Sequence, residues 1–338
     1  GSGLMLGFPM ASRIVIVTPA LAAANNGNWQ TARRWRNFLA PLYPTRLVRE
    51  WPDAEADGDE AMIALHARRS AMSIAAWHER HGGARLALVL TGTDLYRDIA
   101  TDEQARRSLR LASQLVVLQE LGVRSLPAPM RAKALSIVQS APRRRTPAKT
   151  DRHLRAVMVG HLRGEKDPQT LFAAARLLAG RSDILIDHVG AALDPSLGAA
   201  ARATMRACPS YRWLGGLPHE ETRRRIQHAH VLINASRMEG GAHVVIEAIQ
   251  SGTPVLASRI DGNLGLLGAD WPGLFETGDA AALASLLVAC RDAQGQRSGF
   301  LARLRQAGSR RAPLFAPERE RAAVQRLVAD LLSRGGRA

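Results

Sequence analysis

The sequence predicts an α/β protein in which two doubly wound, parallel-sheet domains face each other across a central cleft. Its 338 residues suit two domains of about 150 residues each. Short apolar runs alternate with longer amphipathic stretches, which is the βαβ rhythm of a parallel sheet covered by helices. The rhythm stops once, between residues 139 and 153, where prolines and arginines offer nothing to bury. That interruption predicts a linker over 140–152.

Residues 13–139 form the first predicted domain, a Rossmann-like unit. Amphipathic stretches predict helices at 31–42 and 70–79, and a helical stretch before each of the last two strands. Apolar runs predict strands at 14–17, 61–65, 86–90, 115–118 and 135–138.

Residues 153–316 form the second predicted domain, also Rossmann-like. Strands are predicted at 155–159, 184–189, 211–214, 231–233 and 254–257. Helices are predicted at 168–178, 220–228 and 242–250. The last helical pattern, at 317–332, belongs to a C-terminal segment, 317–334, that could pack back onto the first domain.

The composition excludes several classes of protein. Hydrophobic residues make up 46% and charged residues 22%, which is ordinary for a soluble chain and argues against disorder. Cys208 and Cys290 are the only cysteines, so a disulfide framework and a Cys-x-x-Cys zinc site are excluded, and a cytoplasmic location is predicted. No run of about 18 apolar residues is present that would predict a membrane span.

The formal charge of +16 raises the alternative of a nucleic-acid-binding protein. Only three of the 46 basic residues are lysine, and the arginines are spread through amphipathic segments rather than gathered in one basic helix interleaved with aromatic residues. We therefore favour a basic surface that helps small anionic substrates approach, with no nucleic acid as partner.

Chemistry-bearing residues follow the predicted strands, and ligands of doubly wound sheets bind beyond the carboxyl ends of the strands. The turns at 25–31 and 65–70 each open a helix, whose first amides can hold an anion, and the second turn adds two arginines. The alternative for 65–70 is a surface charge pair. The turn at 91–98 contains both hydroxyl side chains and the carboxylate Asp94. Asp94 either orients a substrate or accepts a proton from it, or it is a plain helix N-cap. The lack of a Gly-x-Gly-x-x-Gly motif argues against a dinucleotide oxidoreductase.

Two turns of the second domain carry the strongest patterns. The turn at 160–168 is a cationic, glycine-containing loop that suits a departing diphosphate, because negative charge develops there. In the turn at 237–248, Glu239 precedes a predicted helix and Glu247 lies within it. The glycines between them carry no bulk that would keep a ligand from the helix amides.

These residues resemble the retaining glycosyltransferases of the GT-B type, in particular glycosyltransferase family 4. That family has a Glu-x7-Glu element, which Glu239 and Glu247 match at both ends. Residues 160–166 resemble its glycine loop, with His161 in place of the usual arginine. Either His161 or Arg163 would then supply that diphosphate contact.

A closer resemblance, running from about residue 13 to the final helix, is to the selenosugar synthases of selenoneine biosynthesis. Trp271 departs from it, standing where tyrosine is expected. The resemblance rests on five motifs in order, at 66–70, 91–98, 188–194, 211–215 and 239–242.

The resemblance implies a hexosyltransferase that moves a sugar from a UDP-sugar, expected to be UDP-N-acetylglucosamine, to the selenium of selenophosphate. The product would be a selenosugar with a new C–Se bond, and no cofactor or metal is expected. The first domain would bind the acceptor and the second the donor. The alternative is an ordinary retaining glycosyltransferase with a hydroxyl acceptor, which would need a base such as Asp94.

The resemblance and the motifs together give candidate site residues. The catalytic candidates are Lys166, Arg163, Glu239 and Asp94. The donor-binding candidates are Gly27, Gly160, His161, Lys166, Gly190, Leu217, Glu239, Gly240, Gly241, Ala242, His243, Val244 and Glu247. The acceptor-binding candidates are Asn28, His66, Arg68, Arg69, Ser70, Thr91, Thr93 and Asp94.

Overall fold

The computed structural model describes residues 10–20 and 27–334, and it contains two six-stranded parallel sheets flanked by helices. This architecture confirms the predicted α/β class with two doubly wound, Rossmann-like units, and it is the GT-B fold. No helix of the described ranges is long and apolar enough to cross a bilayer.

The first sheet has the strand order β2-β1-β3-β4-β5-β6. Its inner strands are buried on both faces, as parallel strands covered by helices must be. The strands are β1 (Arg13–Val17), β2 (Thr45–Val48), β3 (Asp59–Leu65), β4 (Leu86–Val89), β5 (Gln114–Val117) and β6 (Ala134–Ser136).

The second sheet has the strand order β12-β11-β10-β7-β8-β9. Its strands are β7 (Leu154–Val159), β8 (Ile184–Val189), β9 (Tyr211–Trp213), β10 (Val231–Asn234), β11 (Val255–Ser258) and β12 (Leu274–Phe275). All strand pairs of both sheets are parallel.

The helices that cover the sheets begin at polar caps or prolines in several cases, such as Asp167 before α5 and Asp194 before α6. The helices are α1 (Gly27–Leu39), α2 (Ala71–His81), α3 (Ile99–Thr101), α4 (Glu103–Leu111), α5 (Pro168–Leu177), α6 (Pro195–Ala207), α7 (His219–His228), α8 (His243–Gln250), α9 (Asp261–Leu267), α10 (Ala280–Asp292), α11 (Phe300–Arg311) and α12 (Pro317–Arg334).

The predicted strands and helices agree with these bounds to within a few residues. Strands β2 and β12 were not predicted, because β2 is a half-exposed edge strand carrying Arg46 and β12 is two residues long. Helices α6, α9, α10 and α11 were also missed. The expected helix before β6 is instead two short 3₁₀ turns.

The connection between the sheets is partly buried. The expectation that this stretch buries nothing is wrong for Gln139, Ser140 and Ala141, which lie inside the protein. Their polar groups are satisfied by neighbouring side chains; for example, Gln250 Nε2 donates to the Ala141 carbonyl.

The last helix, α12, crosses back from the second half of the chain. Its apolar residues join one core cluster with β1, β3 and α1. Trp35 of α1 is fully buried in this cluster, and its indole N–H donates to Glu320 of α12 at 2.9 Å. The crossing packs α12, the last helix of the described chain, against α1, the first.

Candidate functional site

A cavity of about 260 Å³ opens between the two sheets, at the carboxyl ends of their strands. Residues of both halves line it, as expected for a ligand crevice of doubly wound sheets. The structure brings most of the predicted site residues together in its lining: Gly27, Asn28, His66, Arg69, Thr91, Thr93, Gly160, His161, Arg163, Lys166, Gly190, Leu217, Glu239, Gly240, Gly241, Ala242, His243, Val244 and Glu247. Residues 25 and 26 of the first turn lie outside the described residues.

Other lining residues were not predicted. Many of them belong to the same strand-end turns, so position after a strand was a usable signal for them. Gln139 lies in the connection between the two sheets, directly before the predicted linker, and no pattern in the sequence indicated it. The unpredicted residues are Gln30, Thr31, Gly92, Leu118, Gln139, Val159, Glu165, Val189, Gly216, His219, Thr222 and Met238.

The start of α8 supplies unused amide donors. The amides of residues 241–244 donate to no acceptor within the described chain, whereas Val245 and Ile246 donate to the Ala242 carbonyl. The first amides of a helix lack intrahelical acceptors, and the helix dipole favours negative charge there. This end of the cavity is therefore suited to a phosphate group.

The glycines before α8 have a structural reason that the sequence did not show. A Cβ atom on Gly240 would lie 2.2 Å from the Thr91 carbonyl oxygen, and one on Gly241 would lie 2.9 Å from that of Leu118. Both oxygens belong to the first half of the chain. The glycines thus let the two halves meet at the backbone, besides leaving the helix amides open.

Lys166 and Glu239 form an ion pair in the cavity wall, with Nζ and Oε1 2.7 Å apart. Ser236 Oγ donates to the same oxygen at 2.6 Å. Burial opposes ionisation of Glu239, but the charge and hydrogen bond of Lys166 outweigh it and lower the pKa of that carboxyl. Glu239 is therefore an anion whose position depends on Lys166.

Glu247 is buried and faces three basic side chains. His219 Nε2 lies 3.1 Å from Oε2, His243 Nδ1 lies 3.4 Å from Oε1, and Arg223 Nη1 lies 3.7 Å from Oε2. Burial would raise the pKa of Glu247, yet the hydrogen bonds from His219 and His243 lower it. The cavity therefore presents an ionised carboxylate that can accept hydrogen bonds from hydroxyl groups.

The loop that ends at Lys166 presents further hydrogen-bond donors. His161 Nδ1 accepts the Ala191 amide at 3.2 Å, so its proton lies on Nε2. Burial, followed by the charges of Arg163 and Lys166, lowers the pKa of His161. Arg163 Nε is buried without a hydrogen-bond partner in the described structure, and the nearest carboxylate oxygen, on Glu165, is 3.8 Å away.

His66 shapes the opposite wall. Its Nδ1 accepts the amides of Arg68 and Arg69 at 3.3 and 3.0 Å, and its Nε2 lies 3.0 Å from Thr93 Oγ1. Nε2 therefore carries the proton, and burial lowers the pKa of this imidazole. The amides of Arg68 and Arg69 are therefore not available to an anion, and both lie before α2, which begins at Ala71. Arg69 itself lines the cavity and forms no ion pair with any described residue.

Asp94 does not line the cavity, and the prediction of a base at this position is wrong. It is 0% exposed. Its Oδ1 accepts the amides of Thr91, Gly92 and Leu95 at 2.9–3.0 Å, and its Oδ2 accepts that of Ala67 at 2.9 Å. The carboxylate thus joins the turn at 65–70 to the turn at 91–98. It neither caps a helix nor lines the cavity.

Arg68 and Ser70 also lie outside the lining. Arg68 Nε donates to Asp98 at 3.1 Å, and Ser70 Oγ donates to the Leu65 carbonyl at 2.5 Å. Both side chains shape the turn, so Arg69 is the member of this pair of arginines that lines the cavity. Within residues 10–20 and 27–334, no group of three or more His, Cys, Asp or Glu side chains is arranged to hold a metal ion.

Residues 141–289 match the family described as Glycosyl transferases group 1. This match covers the second sheet, and the fold of the described chain is GT-B. The matched residues include the loop at 160–166, Glu239 and Glu247.

Solved structures share the fold at low sequence identity. Sucrose-phosphate synthase from Thermosynechococcus elongatus has a TM-score of 0.73 and 16% identity, over 96% of this chain and 100% of that one. Anabaena HepE, solved with UDP and glucose, has a TM-score of 0.71 and 13% identity, again over 96% and 100%. S. aureus TarM, solved with Fondaparinux, alpha-GlcNAc-glycerol and UDP, has a TM-score of 0.62 and 12% identity over 80% of this chain. This chain spans 55% of the TarM chain.

Proposed function

We propose that the protein is a glycosyltransferase that moves N-acetylglucosamine from UDP-N-acetylglucosamine to the selenium of selenophosphate. One observation carries the proposal. Two sets of anion donors line one cavity: the unused amides of 241–244 together with Lys166 from the second half of the chain, and Arg69 from the first half. A nucleoside diphosphate and a small phosphate-type acceptor would fill these two places.

The donor side supports a UDP-sugar. The amides of 241–244 would bind the diphosphate with Lys166 and Arg163, and Glu247 would accept the ribose hydroxyls. Glu239 would contact the transferred sugar, and Leu217 the uracil. The solved complexes of TarM and HepE, which share the fold, contain UDP together with a sugar or glycoside.

The acceptor side supports an anion that needs no base. Asp94 is buried and saturated by four amides, and His66 Nδ1 already accepts two amides. Selenium in selenophosphate is already anionic near neutral pH, so no proton has to be removed from it. Arg69, with Thr93 beside it, would grip the phosphate oxygens.

The reaction balances without an additional reagent. A selenium lone pair forms the bond to the anomeric carbon, and the C–O bond to the diphosphate breaks with its electrons on UDP. Lys166, Arg163 and the α8 amides would stabilise the charge that develops on this leaving group. Water then cleaves the Se–P bond and releases phosphate and the selenosugar.

Mass spectrometry of the products tests the proposal. The protein is incubated with UDP-N-acetylglucosamine and either selenophosphate or a panel of alcohols. We expect a selenosugar when selenophosphate is the acceptor and no glycosylated product with the alcohols. Glycosylated alcohols without a selenosugar would favour the ordinary hydroxyl-acceptor enzyme instead.

The Arg69→Met variant assigns the acceptor wall. It should raise the KM for selenophosphate while the affinity for UDP stays unchanged, because Arg69 contacts only the acceptor in this assignment. Arg107→Met, on the exposed face of α4, is the matched control. A fall in UDP affinity with an unchanged acceptor KM would show that the two sites are assigned the wrong way round.

A further inference from the structure

A buried polar cluster joins four parts of the chain next to the cavity. We call it the crossover cluster and define it by five residues: Arg34 of α1, Gln139 and Ser140 of the connection between the sheets, His243 of α8 and Glu320 of α12. Its members are up to 286 residues apart in sequence. Of these five residues, only Gln139 and His243 line the cavity.

Glu320 anchors the cluster. It is 1% exposed, and its carboxylate accepts five hydrogen bonds. Arg34 contributes two of them, at 2.5 and 3.0 Å, and the Trp35 indole another at 2.9 Å. The Ser140 amide and hydroxyl contribute the remaining two, at 3.0 and 2.8 Å. A bidentate arginine held in this way has one fixed orientation.

The fixed Arg34 reaches the donor wall by two routes. Its Nη2 donates to Gln139 Oε1 at 2.7 Å, and Gln139 Nε2 donates to the Gly241 carbonyl at 3.0 Å. The second route runs from Glu320, which Arg34 holds, through Ser140 to His243. Gly241 and His243 are two of the residues whose amides are unused at the start of α8.

His243 extends the second route to the cavity carboxylate. Its Nε2 lies 2.8 Å from the Ser140 carbonyl, which requires a proton on Nε2, and its Nδ1 lies 3.4 Å from Glu247 Oε1. A change at Arg34 would therefore alter the ring that orients Glu247.

We propose that Arg34 is a positioning residue of the nucleotide site. It belongs to the first half of the chain and lines no part of the cavity. It holds the α8 start in place through Gln139, and His243 through Glu320 and Ser140. The nucleotide site would then be complete only when α1 and α12 are docked on each other. This inference rests on the proposed binding of UDP.

Calorimetric titration with UDP tests the inference. Arg34→Met alone would leave Glu320 buried without a cation, so it is made together with Glu320→Gln, and Glu320→Gln alone is the reference. Relative to that reference, removing Arg34 should weaken UDP binding by about threefold to thirtyfold, the range seen for residues that act through others. Arg33→Met, on the exposed face of the same helix, should leave UDP affinity unchanged.

A double-mutant cycle separates positioning from general weakening. When Gln139→Ala and His243→Ala are already present, the further removal of Arg34 should change UDP affinity by less than about twofold, because both routes are gone. In steady state, Arg34 removal should raise the KM for the UDP-sugar and leave the acceptor KM as it was.

Two results would overturn the inference: equal UDP affinity with and without Arg34, or a loss that persists undiminished in the Gln139→Ala and His243→Ala background. A wild-type chain that takes up no UDP would overturn the proposed function, on which the inference rests. Circular dichroism and thermal melting of each variant confirm that folded protein is compared.

Discussion

Replacing Lys166 with alanine removes the cation that pairs with Glu239 and that we propose to contact the diphosphate. If Lys166 is a preorganised donor to the leaving group, turnover should fall by about 10²- to 10³-fold, which is about 2.7–4 kcal/mol of transition-state stabilisation. Glu239 keeps Ser236 Oγ at 2.6 Å but loses the ammonium at 2.7 Å. That loss of a charged hydrogen bond should cost about 1.5–3 kcal/mol of stability at neutral pH.

The pH dependence of that stability loss has a definite sign. Lys166 lowers the pKa of Glu239 in the folded chain, against the opposing effect of burial. The ion pair therefore stabilises the fold above the ordinary carboxyl pKa, and this contribution disappears as the pH falls through the lowered value. The stability difference between wild type and Lys166→Ala should shrink in acid.

The assays are initial rates at saturating substrates and urea denaturation at several pH values. Lys133→Ala is the matched control, since Lys133 donates to the Ala112 carbonyl at the edge of the first sheet and is not part of the cavity lining. Near-wild-type turnover in Lys166→Ala, with the control equally unaffected, would remove Lys166 from the mechanism.

Three further predictions concern other groups. Glu247→Ala should weaken UDP binding by about 1–3 kcal/mol in calorimetry, because a buried charged acceptor is lost. Asp94→Asn should cost about 1–3 kcal/mol of stability in urea denaturation, because an amide nitrogen replaces one oxygen that accepts backbone amides. Burial lowers the pKa of His188 to about 3, so the folded chain does not take up the proton that the unfolded chain binds in mild acid. As the pH falls from about 6.5 to 3, the free energy of unfolding of wild type should therefore drop by about 1.4 kcal/mol more per pH unit than that of His188→Leu.

Each of these predictions has a contradicting outcome. Glu276→Ala, at an exposed carboxylate, is the control for Glu247→Ala, and equal UDP affinity of all three proteins would exclude the ribose role. Asp94→Asn with lost turnover and unchanged stability would restore Asp94 as a base. Parallel stability curves for wild type and His188→Leu would show that His188 is not held neutral.

Much of the fold was predictable because burial on both faces leaves a continuous apolar run in each inner strand. The runs at 14–17 and 231–233 illustrate this, and both lie within observed strands. The edge strand β2 gives no such signal: it carries Arg46, whose guanidinium pairs with Asp53 and Asp59.

The site was predictable to the extent that position after a strand decides it. That rule found Lys166, Glu239 and Glu247. It failed for Asp94, since whether a carboxylate after a strand turns outward or accepts nearby amides depends on tertiary contacts with Ala67. Arg34 could not be found at all, because its partner Glu320 lies 286 residues away and meets it only through folding.

A crystal structure of the protein soaked with UDP tests the central claim most directly. The diphosphate should lie with its oxygens about 2.7–3.2 Å from the amides of residues 241–244 and from Lys166 Nζ, with the ribose hydroxyls on Glu247. A nucleotide bound elsewhere on the protein, with these amides and Lys166 unchanged, would contradict the account.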